Sequence, residues 1–289
     1  MSTKKTVSLR CVAVFAMLQV ILQSSPALAI DQPAKPIRLA AVFAPQMSGM
    51  IDILIHDFRK TSGLDVEVVT GMDIYDRARA GEADIVISHC GFGEVEKFVL
   101  DGYGRWPRTV FSNQMVLIGP KNDPAHVRGS KNATEAFRRI ADTKIPFVPN
   151  ALPAVMDLTD YLWESAGQPN KEGWFLEPEE SKGRAIRLAE SKGGYVIWGA
   201  PPFLRFAQKH ETQMQILFAD DPIFQRDMCS VVVNPDKVPG ANEKSATAFE
   251  KYLLSPRAQA QIAAFRTPDA KDLQLWWPAA LHNDSGAIK

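Results

Sequence analysis

Six side chains of soft or ligating character, Met47, Met72, His89, Cys90, Met228 and Cys229, lie at or beside points where apolar runs give way to turns. Thioether, imidazole and thiolate groups brought together suit Cu(I) or Zn. His89, Cys90 and Cys229 are the smallest set that could hold such an ion. The same residue types also fill irregular apolar gaps, so packing and ligation are both open readings. Cys90 and Cys229 are the two cysteines beyond the N-terminal leader; one bridge is possible, and two small half-buried thiols are the simpler expectation. Signatures of catalysis are missing: there is no G-x-S-x-G, no H-E-x-x-H, no C-x-x-C and no G-x-x-x-x-G-K. The expectation is therefore a protein that binds and does not catalyse, with no cofactor.

These residues need elements to position them. Residues 37–43 form a short apolar run that fits a buried first strand, and a turn over 44–49 leads into an amphipathic helix. Met50, Ile51, Leu54, Ile55 and Phe58 fall on one face of that helix, and Gly63 stops it. The backbone N–H groups of Ser48 and Gly49, before the helix start, form a natural anion seat. Residues 64–69 alternate as a half-buried strand, 72–80 read as a short helix, 85–87 as a buried strand and 94–100 as a helix. Strands alternating with helices predict a parallel sheet whose ligand crevice lies beyond the carboxyl ends of the strands. Those ends are 41–48, 70–73 and 88–91. They carry Ala41, Val42, Phe43, Ala44, Ser48, Gly49, Met72, His89 and Cys90.

A longer extended segment, 108–119, ends at Pro120 and a polar run, which suggests a crossing into a second lobe. That lobe carries helices over 132–141, 153–166 and 181–192, with strands at 147–148, 195–198 and 214–218. A strand over 229–234 follows, then helices over 245–254 and from Pro256 onward, the latter capped by Ser255. Leu275-Trp276-Trp277-Pro278 docks as a final apolar patch, and 282–289 is expected to be a loose tail.

Composition bounds the rest. With 289 residues and 46% hydrophobic content, the chain can bury one large core or two lobes. Lys plus Arg and Asp plus Glu number 33 each, so net charge gives no argument for nucleic acid or a membrane surface. Lys4, Lys5 and Arg10 precede an apolar stretch over 11–22, and Ala27-Leu28-Ala29 supplies a cleavage pattern. Residues 1–29 thus read as a secretory signal peptide cleaved after Ala29, which places the mature chain in the periplasm with no membrane span of its own.

Several blocks, in order, resemble the tungstate- and molybdate-type substrate-binding proteins of bacterial ABC transporters. They are Leu39-Ala40 with Ser48-Gly49, Gly81 to Asp84, Glu96 to Val99 with Gly102 to Gly104, Asn113 with Val116 to Pro120, and Asp221-Pro222. The endings Tyr252 to Gln259 and Leu275 to Pro278 match as well. The resemblance implies an α/β, two-lobed periplasmic-binding-protein fold (type II, Venus-flytrap), each lobe a mainly parallel sheet flanked by helices. Residues 30–118 would begin lobe one, 119–228 form lobe two, and 229–289 return to lobe one. It also implies a small-molecule ligand, an ABC permease as partner, a monomer, and closure by a hinge.

The departures bear on the ligand. Where that family carries Thr-Thr-Thr-Ser, this chain has Ala41, Val42, Phe43 and Ala44, with no hydroxyl. The family's Arg-containing loop in lobe two becomes 149–153, with Asn150 as its polar member. Its Ser-Asp-Arg-Gly-Thr segment becomes 198–202, beginning at Trp198 and ending in Pro201 and Pro202. An anion taken out of water without donors is strongly penalised, so the scaffold is expected to be kept and the tungstate site lost. Phe43 and Trp198 become candidate pocket walls. Lys182, Arg184 and Arg226 are the cations near the cleft loops and would meet any carboxylate or phosphate. Three alternatives stay open: oxyanion capture through the Ser48 and Gly49 N–H groups, soft-metal binding, and a sensor or interaction module without a transport role.

Overall fold

The computed structural model describes Met1, residues 35–267 and residues 273–283. All but Met1 of the expected leader and most of the expected tail lie outside the described residues.

The first lobe is built on β1 (Ile37–Ala41), whose residues are nearly all buried, as the continuous apolar run requires of a strand covered on both faces. It pairs in parallel with β2 (Val66–Thr70) and with β3 (Ile85–His89). A one-turn helix α1 (Phe43–Met47) occupies the expected turn and leads into α2 (Met50–Ser62). The apolar stripe of α2 is buried as its periodicity demands, and Gly63 ends the helix at φ 71°, a conformation that glycine adopts without a Cβ penalty. Two further helices, α3 (Ile74–Arg79) and α4 (Gly93–Leu100), complete the β-α units.

β4 (Arg108–Pro120) is the strand the whole fold shares. Its first half, through Gln114, pairs antiparallel with β8 (Gln225–Val232). From Met115 onward it pairs with β6 (Tyr195–Gly199) and β7 (Met214–Phe218). One chain of 13 residues therefore leaves one sheet and enters the other, and β8 runs back beside it onto β3. The strand order is β2-β1-β3-β8-β4-β6-β5, where β5 is Phe147–Val148. Parallel pairing is confined to β2-β1-β3 and β5-β6; the linking strands pair antiparallel because one leaves the first lobe and the other returns.

In the second lobe β6 alternates strictly. Tyr195 and Ile197 face α5 (Ala133–Thr143) and α6 (Pro153–Ser165), while Val196 packs on the side of α7 (Gly183–Ser191). On that same side lies α8 (Ala200–Lys209), which the sequence reading missed. Pro201 and Pro202 look like breakers, but in the first helical turn a missing N–H has no partner to lose, so they open the helix.

The chain then returns to the first lobe. α9 (Glu243–Leu253) and α10 (Pro256–Ala264) close over α2, with Phe58 edge-on to Phe249 at 5.0 Å. Ser255 caps α10 by accepting from the Ala258 N–H, and β9 (Trp277–Pro278) adds to the edge of β4 beside the buried Trp276. No helix among the described residues is long and apolar enough to cross a membrane.

Candidate functional site

The crevice begins where β1 ends. Ala41 is fully buried, the Val42 N–H donates to the Ile87 carbonyl at 3.0 Å, and Phe43 projects with 43% of its surface exposed. Ala44 packs on the core. This stretch offers no side-chain donor. Val42 and the exposed Met72 border a groove of about 310 Å³ over Tyr75, Arg79, Phe92 and Lys97. Beneath it the Tyr75 hydroxyl is bonded to Ser88 at 2.6 Å, and burial pushes the phenol up to about 12.

The anion seat expected at Ser48 and Gly49 is already occupied by the chain itself, which corrects that reading. The Ser48 N–H donates to Ala44 at 3.2 Å and the Gly49 N–H to Gln46 at 3.0 Å, closing the short α1 turn. The Ser48 hydroxyl accepts from the Trp276 indole at 3.1 Å and donates to the Pro45 carbonyl. Ser48 and Gly49 instead line a cavity of about 290 Å³ against Pro201, Leu204 and Arg205 of α8. Sequence reasoning missed this wall because it missed α8; the apolar spacing of Phe203 and Phe206 was the available signal.

The metal reading and the expectation of free thiols are both corrected. Cys90 and Cys229 form a disulfide, Cα to Cα 5.1 Å, so neither sulfur is a thiolate available to an ion. Among the described residues no group of three His, Cys, Asp or Glu could hold a metal.

His89 ends β3 opposite Met228, and its Nδ1 is sealed with no partner although part of the residue reaches the surface. Burial, reinforced by the positive charge of Arg226, pushes the imidazole down to about 4. Arg226 lies opposite Asn113, at the point where β4 leaves β8. Its guanidinium donates to the carbonyls of Ile223 at 2.9 Å and Gln225 at 2.8 Å, and no carboxylate among the described residues comes within ion-pair distance. Burial pulls its pKa down, opposed by the more distant Asp157 of α6.

In the second lobe the Asn150 carbonyl oxygen accepts from the Lys182 N–H at 2.8 Å, while its Nδ2 is buried without a partner. Lys182 holds φ 55°, unusual for a residue other than glycine, and stands at the start of α7. Arg184 is exposed in the first turn of α7, its Nε paired with Glu180 at 2.6 Å, and it borders a surface groove with Lys182, Arg187 and Phe206. Trp198 is half-buried, edge-on to Phe206 at 6.4 Å. The predicted residues thus fall into three neighbourhoods: the β1 end, the α7 start, and the junction of β3, β4 and β8.

A two-lobed sheet joined by antiparallel linking strands is the fold of binding proteins of the periplasmic type. The profile of bacterial extracellular solute-binding proteins matches residues 39–265, and the chain belongs to that family. The tungstate-binding protein TupA of Peptoclostridium acidaminophilum is 27% identical over 233 residues, covering 78% of this chain and 80% of its own. Among solved structures, the tungstate-binding protein TupA of Desulfovibrio alaskensis G20 superposes with a TM-score of 0.73 at 24% identity, covering 85% of this chain and all of that one. The tungstate ABC transporter structure from Geobacter sulfurreducens gives 0.68 at 26% identity, covering 81% of this chain and all of that one. The resemblance read from the ordered blocks and the two-lobed fold it implied are both borne out.

Proposed function

We propose that this chain is the exported substrate-binding component of an ABC importer that closes over a small molecule other than tungstate. The carrying observation is the loop Ala41 to Ala44, which stands at the mouth of the crevice without one hydroxyl donor and with the Val42 N–H already bonded inside the sheet. A tetrahedral oxyanion stripped of water needs several donors at once. The resemblance to tungstate-binding relatives supports the scaffold, a permease partner and a small solute. The replaced loops support a different cargo.

Thermal melts with and without ligand test this directly. A ligand at 100 times its Kd adds about 2.7 kcal/mol to folding stability, which a melt detects readily. Tungstate and molybdate at micromolar concentration are expected to leave the melting temperature unchanged, while a member of a solute panel raises it. A rise of several degrees with tungstate overturns the reading. The proposed export is checked by intact mass of the secreted chain, with cleavage expected after Ala29.

A further inference from the structure

Two of the buried polar atoms left without a partner among the described residues belong to His89, where the two sheets part, and to Asn150 of the second lobe. Directly opposed residues of an antiparallel pair share a face, and so do residues two apart on one strand. His89 opposes Met228, and Arg226 is two residues from Met228, so His89 and Arg226 are diagonal neighbours on one face of the sheet. Asn113, whose side chain is buried, opposes Arg226 on the same face. The guanidinium donates to two neutral carbonyls and has no carboxylate at ion-pair distance among the described residues; Asp157 of α6 offsets its charge only from further away. Beside it the Nδ1 of His89 is sealed without a partner and can carry the single proton of a neutral imidazole.

In the second lobe Asn150 is buried, its oxygen held by Lys182 and its Nδ2 left without an acceptor. Buried donors without acceptors are unfavourable unless something supplies the acceptor. A negative group is the acceptor that suits this place: the forked guanidinium matches a carboxylate, and the surrounding walls lack the hydroxyls that a tetrahedral oxyanion needs. Phe43 offers apolar surface and no donor, and Trp198 an apolar ring with a single indole N–H.

Resting on the reading that the cargo is not tungstate, we propose that the crevice binds a small organic monocarboxylate. Arg226 holds the carboxylate with the His89 Nδ1–H beside it, and hinge closure of the lobes brings Asn150 and the apolar walls Phe43 and Trp198 onto the ligand.

The test uses the mature protein in thermal melts and titration calorimetry with butyrate and benzoate, against butyramide, benzamide, a sugar, an amine and sodium tungstate. At least one carboxylate is expected to raise the melting temperature while its amide does not. Arg226→Gln is expected to weaken that carboxylate by about 30-fold or more. Arg226→Lys, which keeps the charge and loses the fork, should fall between the two. Asn150→Ala should weaken the carboxylate; because it also takes the acceptor from the Lys182 N–H, its effect is read from the affinity for acid against amide and not from the melting temperature of the free protein. If Arg226→Gln does not fold, the Lys and Asn150 variants decide. Equal response to acid and amide, or wild-type affinity in these variants, overturns the proposal. Binding of the sugar, the amine or tungstate with no carboxylate response overturns the monocarboxylate assignment; of these, the sugar or amine alone leaves the broader reading standing. Silence from every class counts against both.

Discussion

Cys90, one residue past the end of β3, is bonded to Cys229 in the linking strand β8, closing a loop between residues 139 apart in sequence. The bridge ties the carboxyl end of a first-lobe strand to the strand that joins the lobes. Closing so long a loop restricts the unfolded chain, an effect of about 4–5 kcal/mol in the chain-entropy account and about 2–5 kcal/mol in typical measurements. The double variant Cys90→Ser with Cys229→Ser should therefore unfold at a clearly lower guanidinium concentration, and reductant should bring the wild type to the same midpoint. Coincident midpoints with and without the bridge would remove its structural role.

Asp84 is the polar centre of the first lobe. It is almost wholly buried and accepts from the Arg38 N–H at 2.9 Å, the Arg38 guanidinium at 3.0 and 2.5 Å, and the Asn242 N–H at 2.8 Å. Burial alone would raise its pKa, but the Arg38 guanidinium and the two backbone donors outweigh it and hold the carboxyl below its ordinary value. Its contribution to stability is thus fully present above the unfolded value, about 3.9. It is lost as pH falls through the lower folded value. Asp84→Ala leaves a guanidinium and two backbone N–H groups without their acceptor and should cost about 3–5 kcal/mol in urea unfolding at neutral pH. A loss under 1 kcal/mol would mean that water replaces the carboxylate.

How much of this was legible depended on whether the signal was local. The stripe of α2 and the cap of α10 are read directly from spacing, because helix periodicity and capping involve residues within a turn of each other. β4 was legible as an extended run, but not its division between two sets of partners, which only the partners reveal. α8 was hidden by Pro201 and Pro202, whose effect reverses with their position in a helix. The proximity of His89 and Arg226 depends on the register of β3 against β8, and a shift of one residue would place them on opposite faces. Two cysteines beyond residue 29 allowed the bridge without requiring it.

Ser48 matched the resemblance and reads as a ligand residue, yet its hydroxyl holds the indole of the fully buried Trp276 at 3.1 Å. Ser48→Ala leaves that indole N–H without an acceptor, at a cost of about 1–3 kcal/mol. The expected result is a lower urea midpoint with altered tryptophan emission, and no change in the affinity of whichever solute proves to bind. The opposite pattern, unaltered stability with weakened solute binding, would return Ser48 to the site.

His89 gives the last prediction, a pH dependence with a defined sign. Its imidazole is held at about 4 in the folded chain, first by burial and then by the charge of Arg226, against about 6.5 when unfolded. Between these values the unfolded chain binds the proton and the folded one does not, so native stability falls as pH drops from about 6.5 to about 4 and levels off below. His89→Gln should abolish that part of the pH dependence. Urea midpoints of wild type and variant, measured across the window, should therefore converge or cross as pH falls, the wild type losing stability that the variant keeps. In NMR the His89 ring signals should not titrate above about pH 5. A carboxylate bound at Arg226 would offset the guanidinium charge and move the imidazole upward, so repeating the titration with saturating benzoate reads the proposed ligand and the electrostatic coupling together. An imidazole that titrates near 6.5 in the free protein would show that water reaches Nδ1 and would remove His89 from the recognition cluster.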